Sequence, residues 1–405
     1  LAVYDLMIIG AGPAGLAAGI YGARAKLHTL IIEKGAVGGQ AFTTRELVNY
    51  PGFPDATGPQ LMKAMADHAA GFGAEIIRDE VVDVNFAREI KEISTRKGGS
   101  YQARAVILAA GAQPRLLNIP GEKEFRGLGV SYCATCDAEF YEGLDVVVVG
   151  NGDAAIEEAL YITRFARKVT MLVIHDPGVV DCNRTSAEKA FQNEKMAFIW
   201  NSVLAEIKGD QEVEAVVIKN IKTGELSQFP VNGVFIYVGT VPGTGFLQGK
   251  VELDDKGYII TNERMETAVD GVFAAGDARV KYLRQVITAA NDGAVAAIAA
   301  ENYLREEEEF RGQVEDAGKP VLLAFWSPAH EESIALLSTL ESVVGQCNGQ
   351  VKLVKVDISR RKRMASKYHV LQAPAILLLK KGGEKRDLPP NLTARSLEAA
   401  LREKN

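Results

Sequence analysis

The sequence predicts an α/β fold with two three-layer units, each built on a parallel sheet, followed by a small third α/β unit. Three observations predict it. The opening stretch YDLMIIGAGPAGLAAGIYGARAKLHTLIIEK reads as strand, glycine turn, helix, strand. The same pattern recurs over residues 144–174 as LDVVVVGNGDAAIEEALYITRFARKVTMLVI. Both sets of strands are nearly unbroken apolar runs, the pattern of strands buried on two faces. Near residue 305 the composition turns acidic and polar in LREEEEFRGQVEDAGKP (304–320), and a new strand pattern, VLLAF, follows.

At 405 residues the chain is too long for one ordinary core. It is 47% hydrophobic and 24% charged, a globular profile, and its net charge of -6 argues against a nucleic-acid footprint. No apolar run reaches the ~20 residues of a membrane span, and no basic-then-apolar signal segment is seen. Four cysteines form no disulfide framework, so a cytoplasmic location is expected.

The first glycine turn, Gly10-Ala11-Gly12-Pro13-Ala14-Gly15, lies between an apolar strand and a helix. Gly10 permits the tight turn, Gly12 lets a pyrophosphate approach the backbone, and Gly15 lets helix and strand pack closely. Glu33 ends the next strand, where an acidic side chain can hold a ribose. VILAAGAQPR (106–115), which contains Gly111, and GVFAAGDAR (271–279) are further strands ending in small residues. The latter closes on Gly276-Asp277, and a helix rich in small residues follows over 282–304. The second turn is Gly150-Asn151-Gly152-Asp153-Ala154-Ala155, where alanine in the last position still permits close packing. Between the two units SYCATCDAEFYEG (131–143) holds Cys133 and Cys136. A C-x-x-C pair at a helix start can form a redox disulfide, because helix N-terminal amides stabilise a thiolate. As half of a zinc site it needs two more soft ligands, and Cys182 and Cys347 form no second pair, so no metal is expected.

These segments, together with Gly38-Gly39-Gln40 and the string Cys-Ala-Thr-Cys-Asp, resemble the low-molecular-weight thioredoxin reductases over residues 4–305, about three-quarters of the chain. The resemblance implies two Rossmann-like domains. The first binds FAD and is discontinuous (1–115 and 240–305); the second is NAD(P)-binding-like and carries the C-x-x-C pair (116–239). FAD would be held by Gly10, Gly12, Pro13, Ala14, Gly15, Glu33, Gly39, Gln40, Gly111, Gly276 and Asp277, with Arg284 and Gln285 beside the flavin. By the same resemblance Cys136 faces the flavin, Cys133 attacks a partner's disulfide and Asp137 shuttles the proton. The partner would be thioredoxin or another dithiol protein, and the enzyme a homodimer whose nucleotide domain rotates.

The nicotinamide site, Gly150, Gly152, Asp153 and Ala154, departs from the family in the strand that follows. Members that use NADPH carry a His-Arg-Arg cluster there and a further arginine. This chain reads VIHDPGVVDCNRTSAEKA (173–190), with Asp176 and Pro177 after His175 and only Arg184 as a surviving cation. A carboxylate repels a 2′-phosphate and can accept a ribose hydroxyl. NADH, NADPH and a ferredoxin-type one-electron donor all remain open on the sequence, as does a flavin-bearing sensor without turnover. Residues 319–380 resemble thioredoxin, with Pro374 at the cis-proline position and His330-Glu331-Glu332-Ser333 where Cys-Gly-Pro-Cys belongs. The expectation is an acidic linker at 306–318 and a redox-inactive, truncated thioredoxin-like domain at 319–405, lacking its first strand and helix, that binds or packs.

Overall fold

The computed structural model describes residues 2–44, 47, 49–53, 57–314, 317–359, 361–380 and 384–402. The chain divides into two compact units, Leu1–Glu301 and Asn302–Asn405.

The first unit contains two large sheets, one mixed and one all parallel. In one, Val3–Ile9 lies between Thr29–Glu33 and Ser100–Leu108, with Glu75–Arg78 beyond Thr29–Glu33. Ser100–Leu108 then divides its pairing. Its N-terminal half meets Lys91–Thr95 antiparallel, and its C-terminal half meets Val272–Ala274 parallel, in the register Val272↔Val106. A strand from residue 272 thus completes a sheet begun at residue 3. Leu6, Met7, Ile8, Leu30, Ile31 and Ile107 have no exposed surface, which is why these strands read as unbroken apolar runs.

The second sheet has the order Met196–Ile199, Lys168–Leu172, Asp145–Val149, Gly233–Ile236, Val130–Ser131, all parallel. A three-stranded antiparallel sheet, Ser202–Gly209, Val213–Asn220 and Leu226–Pro230, accompanies it. Ala112–Pro114 pairs antiparallel with Thr240–Pro242, so the chain leaves and re-enters the first sheet's surroundings side by side.

The second unit has a four-stranded sheet ordered Lys352–Asp357, Val321–Trp326, Ala375–Leu379, Lys385–Leu388. Glu331–Gln346, Lys362–Lys367 and Ala394–Arg402 are helices of this unit, and the Ala373–Pro374 bond is cis. One expectation needs correction here. The helix that begins at Val286 runs to Val314, so 306–314 is not a linker. Phe310 and Val314, one turn apart, are buried against Val321, Leu323, Phe325 and Val356. This stretch therefore supplies the first helix that the sequence reading found missing. Only two large apolar side chains carry the stripe, among the exposed carboxylates of Glu308 and Glu309, and so few anchors read as a solvated segment.

Candidate active site

The strand Val3–Ile9 ends in a turn that only glycine can make. Gly10 has φ +107°, and a Cβ there would lie 2.3 Å from the Ala109 carbonyl oxygen. A Cβ on Gly15 would lie 1.8 Å from the Gly10 carbonyl oxygen, so the helix Pro13–Arg24 sits directly on the turn. Gly12 is the N-cap, with no side-chain cap, and a Cβ on it would meet nothing within 4 Å. The helix N-terminus therefore opens onto space, as an anion site requires. The buried Glu33 carboxylate accepts from the Ala11 amide (2.7 Å) and the Gly35 amide (2.8 Å), which braces the turn against the end of the next strand.

The turn faces a cavity of about 1460 Å³. Gly10, Gly12, Pro13, Ala14, Glu33, Gly39, Gln40, Gly111, Gly276, Asp277, Arg284 and Gln285 all line it; Gly15 lies behind, in the helix–strand contact. Two buried polar atoms on the wall lack partners among the described residues, Asp277 Oδ1 and Arg284 Nε. Burial pushes the Asp277 carboxyl up, opposed by Lys281 and Arg284. The Arg284 guanidinium lies 4.3 Å from the centre of the Tyr258 ring. A bare helix N-terminus, orphaned polar atoms and a volume above the usual drug-sized pocket fit a dinucleotide such as FAD.

Cys133 and Cys136 form a disulfide with a Cα–Cα distance of 5.3 Å, and both line the same cavity. Cys133 is the extended N-cap of the short helix Ala134–Asp137. Gln285 Nε2 donates to Thr135 Oγ1 (2.8 Å) and lies 3.8 Å from Cys133 Sγ, while its Oε1 accepts from Asn49 Nδ2 (3.2 Å). Gln285, on the cavity wall, thus reaches the turn that carries the disulfide. Asp137 accepts from Ser131 Oγ (2.5 Å), and that same oxygen accepts from the Cys133 amide (3.1 Å). Burial pushes the Asp137 carboxyl up, and the Ser131 hydrogen bond pulls it down. Thr135 and Asn49 carry no signal in the sequence, because their partner Gln285 lies 150 and 236 positions away.

The second glycine turn repeats the first. Gly150 has φ +133°, a Cβ there would lie 2.4 Å from the Tyr237 carbonyl oxygen, and Gly152 caps the helix Asp153–Ile162. Residues 181–183 lie along this turn. The Asp181 amide donates to the Asn151 carbonyl (2.9 Å), and the Asp181 carboxylate accepts from Asn151 Nδ2 (2.8 Å) and meets His175 Nε2 (2.9 Å). Asp153 accepts from the Asn183 amide (2.7 Å) and from Asn183 Nδ2 (2.9 Å). Asp176 is paired with Lys222. Arg184 is almost fully exposed and paired with Glu188 at 2.8 Å. Asp181 and Asn183 thus join the second glycine turn, a placement that the sequence does not announce beyond the close spacing of Asp176 and Asp181.

In the second unit His330 is the extended N-cap of the helix Glu331–Gln346, and Ser333 has no exposed surface and no partner for its Oγ among the described residues. Cys347 is buried and its thiol donates to the Val343 carbonyl (3.3 Å). No group of three or more His, Cys, Asp or Glu among the described residues could hold a metal ion.

A dinucleotide cradle and a C-x-x-C disulfide opening onto one cavity define a flavin-dependent disulfide oxidoreductase. The comparisons agree. The pyridine nucleotide-disulphide oxidoreductase model matches residues 4–293, and the thioredoxin model matches residues 302–403. The chain is 52% identical over 311 residues to a thioredoxin reductase of Peptoclostridium litorale, covering 75% of this chain and 98% of that one. It is 36% identical to a bifunctional thioredoxin reductase/thioredoxin of Mycobacterium leprae, covering 94% and 92%. The crystal structure of the Streptococcus pyogenes thioredoxin reductase superposes with a TM-score of 0.72 at 43% identity, covering 75% of this chain and 99% of that one. The chain belongs to the thioredoxin reductase family, with a C-terminal thioredoxin domain. The family implies FAD and NAD(P)H as cofactors and thioredoxin as the protein substrate; a ferredoxin-type donor finds no support. No described helix is long and apolar enough to cross a membrane.

Proposed function

We propose that this reductase takes its electrons from NADH rather than NADPH and delivers them through Cys133–Cys136 to a thioredoxin-type disulfide. The observation that carries the choice of donor is the Asp181 carboxylate beside the second glycine turn. Asp176 is paired with Lys222, whereas the Asp181 carboxylate meets His175 and the Asn151 side-chain amide, with no lysine or arginine on it among the described residues. A carboxylate with no lysine or arginine on it repels a 2′-phosphate and accepts a ribose 2′-hydroxyl. Anaerobic bleaching of the flavin's visible absorbance by NADH and by NADPH tests this. NADH is expected to react faster, and Asp181→Arg to shift the preference toward NADPH by about tenfold or more. Faster bleaching of the native protein by NADPH would sink the assignment.

Bound in the cradle, FAD would supply hydride acceptance and a two-electron route to the disulfide. The chain's own residues then divide the work. Gln285 and Asn49 hold the C-x-x-C turn against the flavin wall. Cys136 takes the flavin-facing role, and Cys133, the half-buried N-cap of its helix, attacks the partner's disulfide. Asp137, its carboxyl raised by burial, donates the proton that the departing thiolate needs. Activity is therefore expected to fall as pH rises through the Asp137 pKa. Ser131→Ala removes a bond to the charged form, so the alkaline limb of the pH–rate profile moves to higher pH, and Asp137→Asn eliminates it. A profile identical in all three proteins would remove Asp137 from proton handling.

A further inference from the structure

We propose that Asp292 is the positioning residue for the turn Gly276–Ala278, the segment that presents Asp277 to the flavin cavity. This rests on the flavin occupying that cavity. Asp292 projects from the helix Val286–Val314 and is 2% exposed. Its Oδ2 accepts from the Gly276 amide (3.1 Å), Arg279 Nε (2.9 Å) and Lys281 Nζ (2.8 Å), and its Oδ1 from Arg279 Nη2 (3.2 Å). One carboxylate thus gathers the turn at its first residue and again at the two cations that follow it.

The placement is set by close approach of two helices. A Cβ on Gly293, the residue after Asp292, would lie 2.0 Å from the Ala14 carbonyl oxygen. A Cβ on Gly276 would lie 2.8 Å from Ala14 Cβ. The first glycine turn's helix, the long helix and the Gly276–Ala278 turn therefore meet at Ala14, and Asp292 is the polar fastener behind that junction. Ala14, Gly276 and Asp277 line the cavity, whereas Arg279, Lys281 and Asp292 lie behind its wall.

The charges make the arrangement more than a brace. Lys281 is 6% exposed at its side chain, so two cations are kept out of water on a single carboxylate. Buried charge is costly unless paired and hydrogen-bonded, and removing the shared anion leaves a net excess of positive charge next to a redox cofactor site. Excess positive charge there favours the reduced, more negative flavin, which makes its potential less negative.

The test compares Asp292→Ala and Asp292→Asn with the native full-length protein, measuring FAD affinity by reconstitution of the apoprotein and the midpoint potential of the bound flavin. Asp292→Ala is expected to weaken FAD binding by about tenfold or more and to make the potential less negative. Asp292→Asn keeps an oxygen for the Gly276 amide, so it recovers most of the affinity while keeping the shifted potential. A purely structural role would lower the melting temperature of all forms and leave the potential unmoved. Native affinity and potential in Asp292→Ala, or an Asp292→Asn protein that binds FAD as poorly as Asp292→Ala, would overturn the proposal. If Asp292→Ala fails to fold, an unchanged potential in Asp292→Asn overturns it alone. Failure of the native apoprotein to bind FAD would instead strike the flavin reading itself.

Discussion

Cys136→Ser is expected to leave flavin reduction by the nicotinamide donor intact and to reduce thioredoxin turnover about a thousandfold or more. Cys133→Ser should do the same. The two half-reactions separate because the cradle is lined by residues 10–14, 33–40 and 276–285, outside the C-x-x-C turn. No other thiol can stand in. Cys182 lies beside the second glycine turn with its thiol pushed up by burial, and Cys347 is inside the core of the second unit. A serine hydroxyl is no substitute, since disulfide exchange needs a thiolate to attack and a sulfur to leave. Stopped-flow bleaching of the flavin and a thioredoxin-coupled assay read the two halves independently. Thioredoxin turnover above about a tenth of native in either variant would disprove the assigned route.

The double substitution His330→Cys/Ser333→Cys is expected to create a second redox disulfide where the native chain has none. The native geometry at 330–333 already matches that at 133–136. Each segment starts with an extended N-cap residue, φ −123° at His330 and φ −150° at Cys133. Each is closed by a backbone bond from the fourth residue to the first, Ser333 to His330 at 3.0 Å and Cys136 to Cys133 at 3.3 Å. Position 330 is exposed and 333 fully buried, which suits an attacking thiol and a protected partner. The Ser333 hydroxyl is buried without a partner among the described residues, so replacing it by sulfur forfeits no hydrogen bond. Placed in a Cys133→Ser/Cys136→Ser background, the pair can be followed alone. Thiol titration before and after dithiothreitol should release two thiols, and insulin reduction should rise from none to a measurable rate. Cys182 and Cys347 contribute two thiols in either case, so four free thiols in the denatured, air-oxidised protein would show that the helix N-terminus does not bring these positions together.

Much of the site was legible in the chain itself. Gly10, Gly12 and Gly15 were readable because each answers a local need: a positive φ, an open approach or a close contact within a few residues. Cys133, Cys136 and Asp137 were readable because the chemistry lies within one short helix. The acidic stretch after residue 305 was misread for the opposite reason. Its helix is held by Phe310 and Val314 against strands that follow it, and Glu307 reaches Lys367 at 3.7 Å, contacts that no local pattern announces.

By itself the sequence determined the two glycine turns, the strands and helices around them, the C-x-x-C pair, and histidine and serine at positions 330 and 333. Those follow from periodicity, glycine sterics and residue identity, all short-range properties of a polypeptide. Only the tertiary structure decided that Gln285 and Asn49 bind the C-x-x-C turn, that Asp181 lies along the second glycine turn, and that Asp292 fastens Gly276. These bonds join residues from 16 to 236 positions apart, and a hydrogen bond or buried charge acquires its meaning only when folding supplies the partner and removes the water.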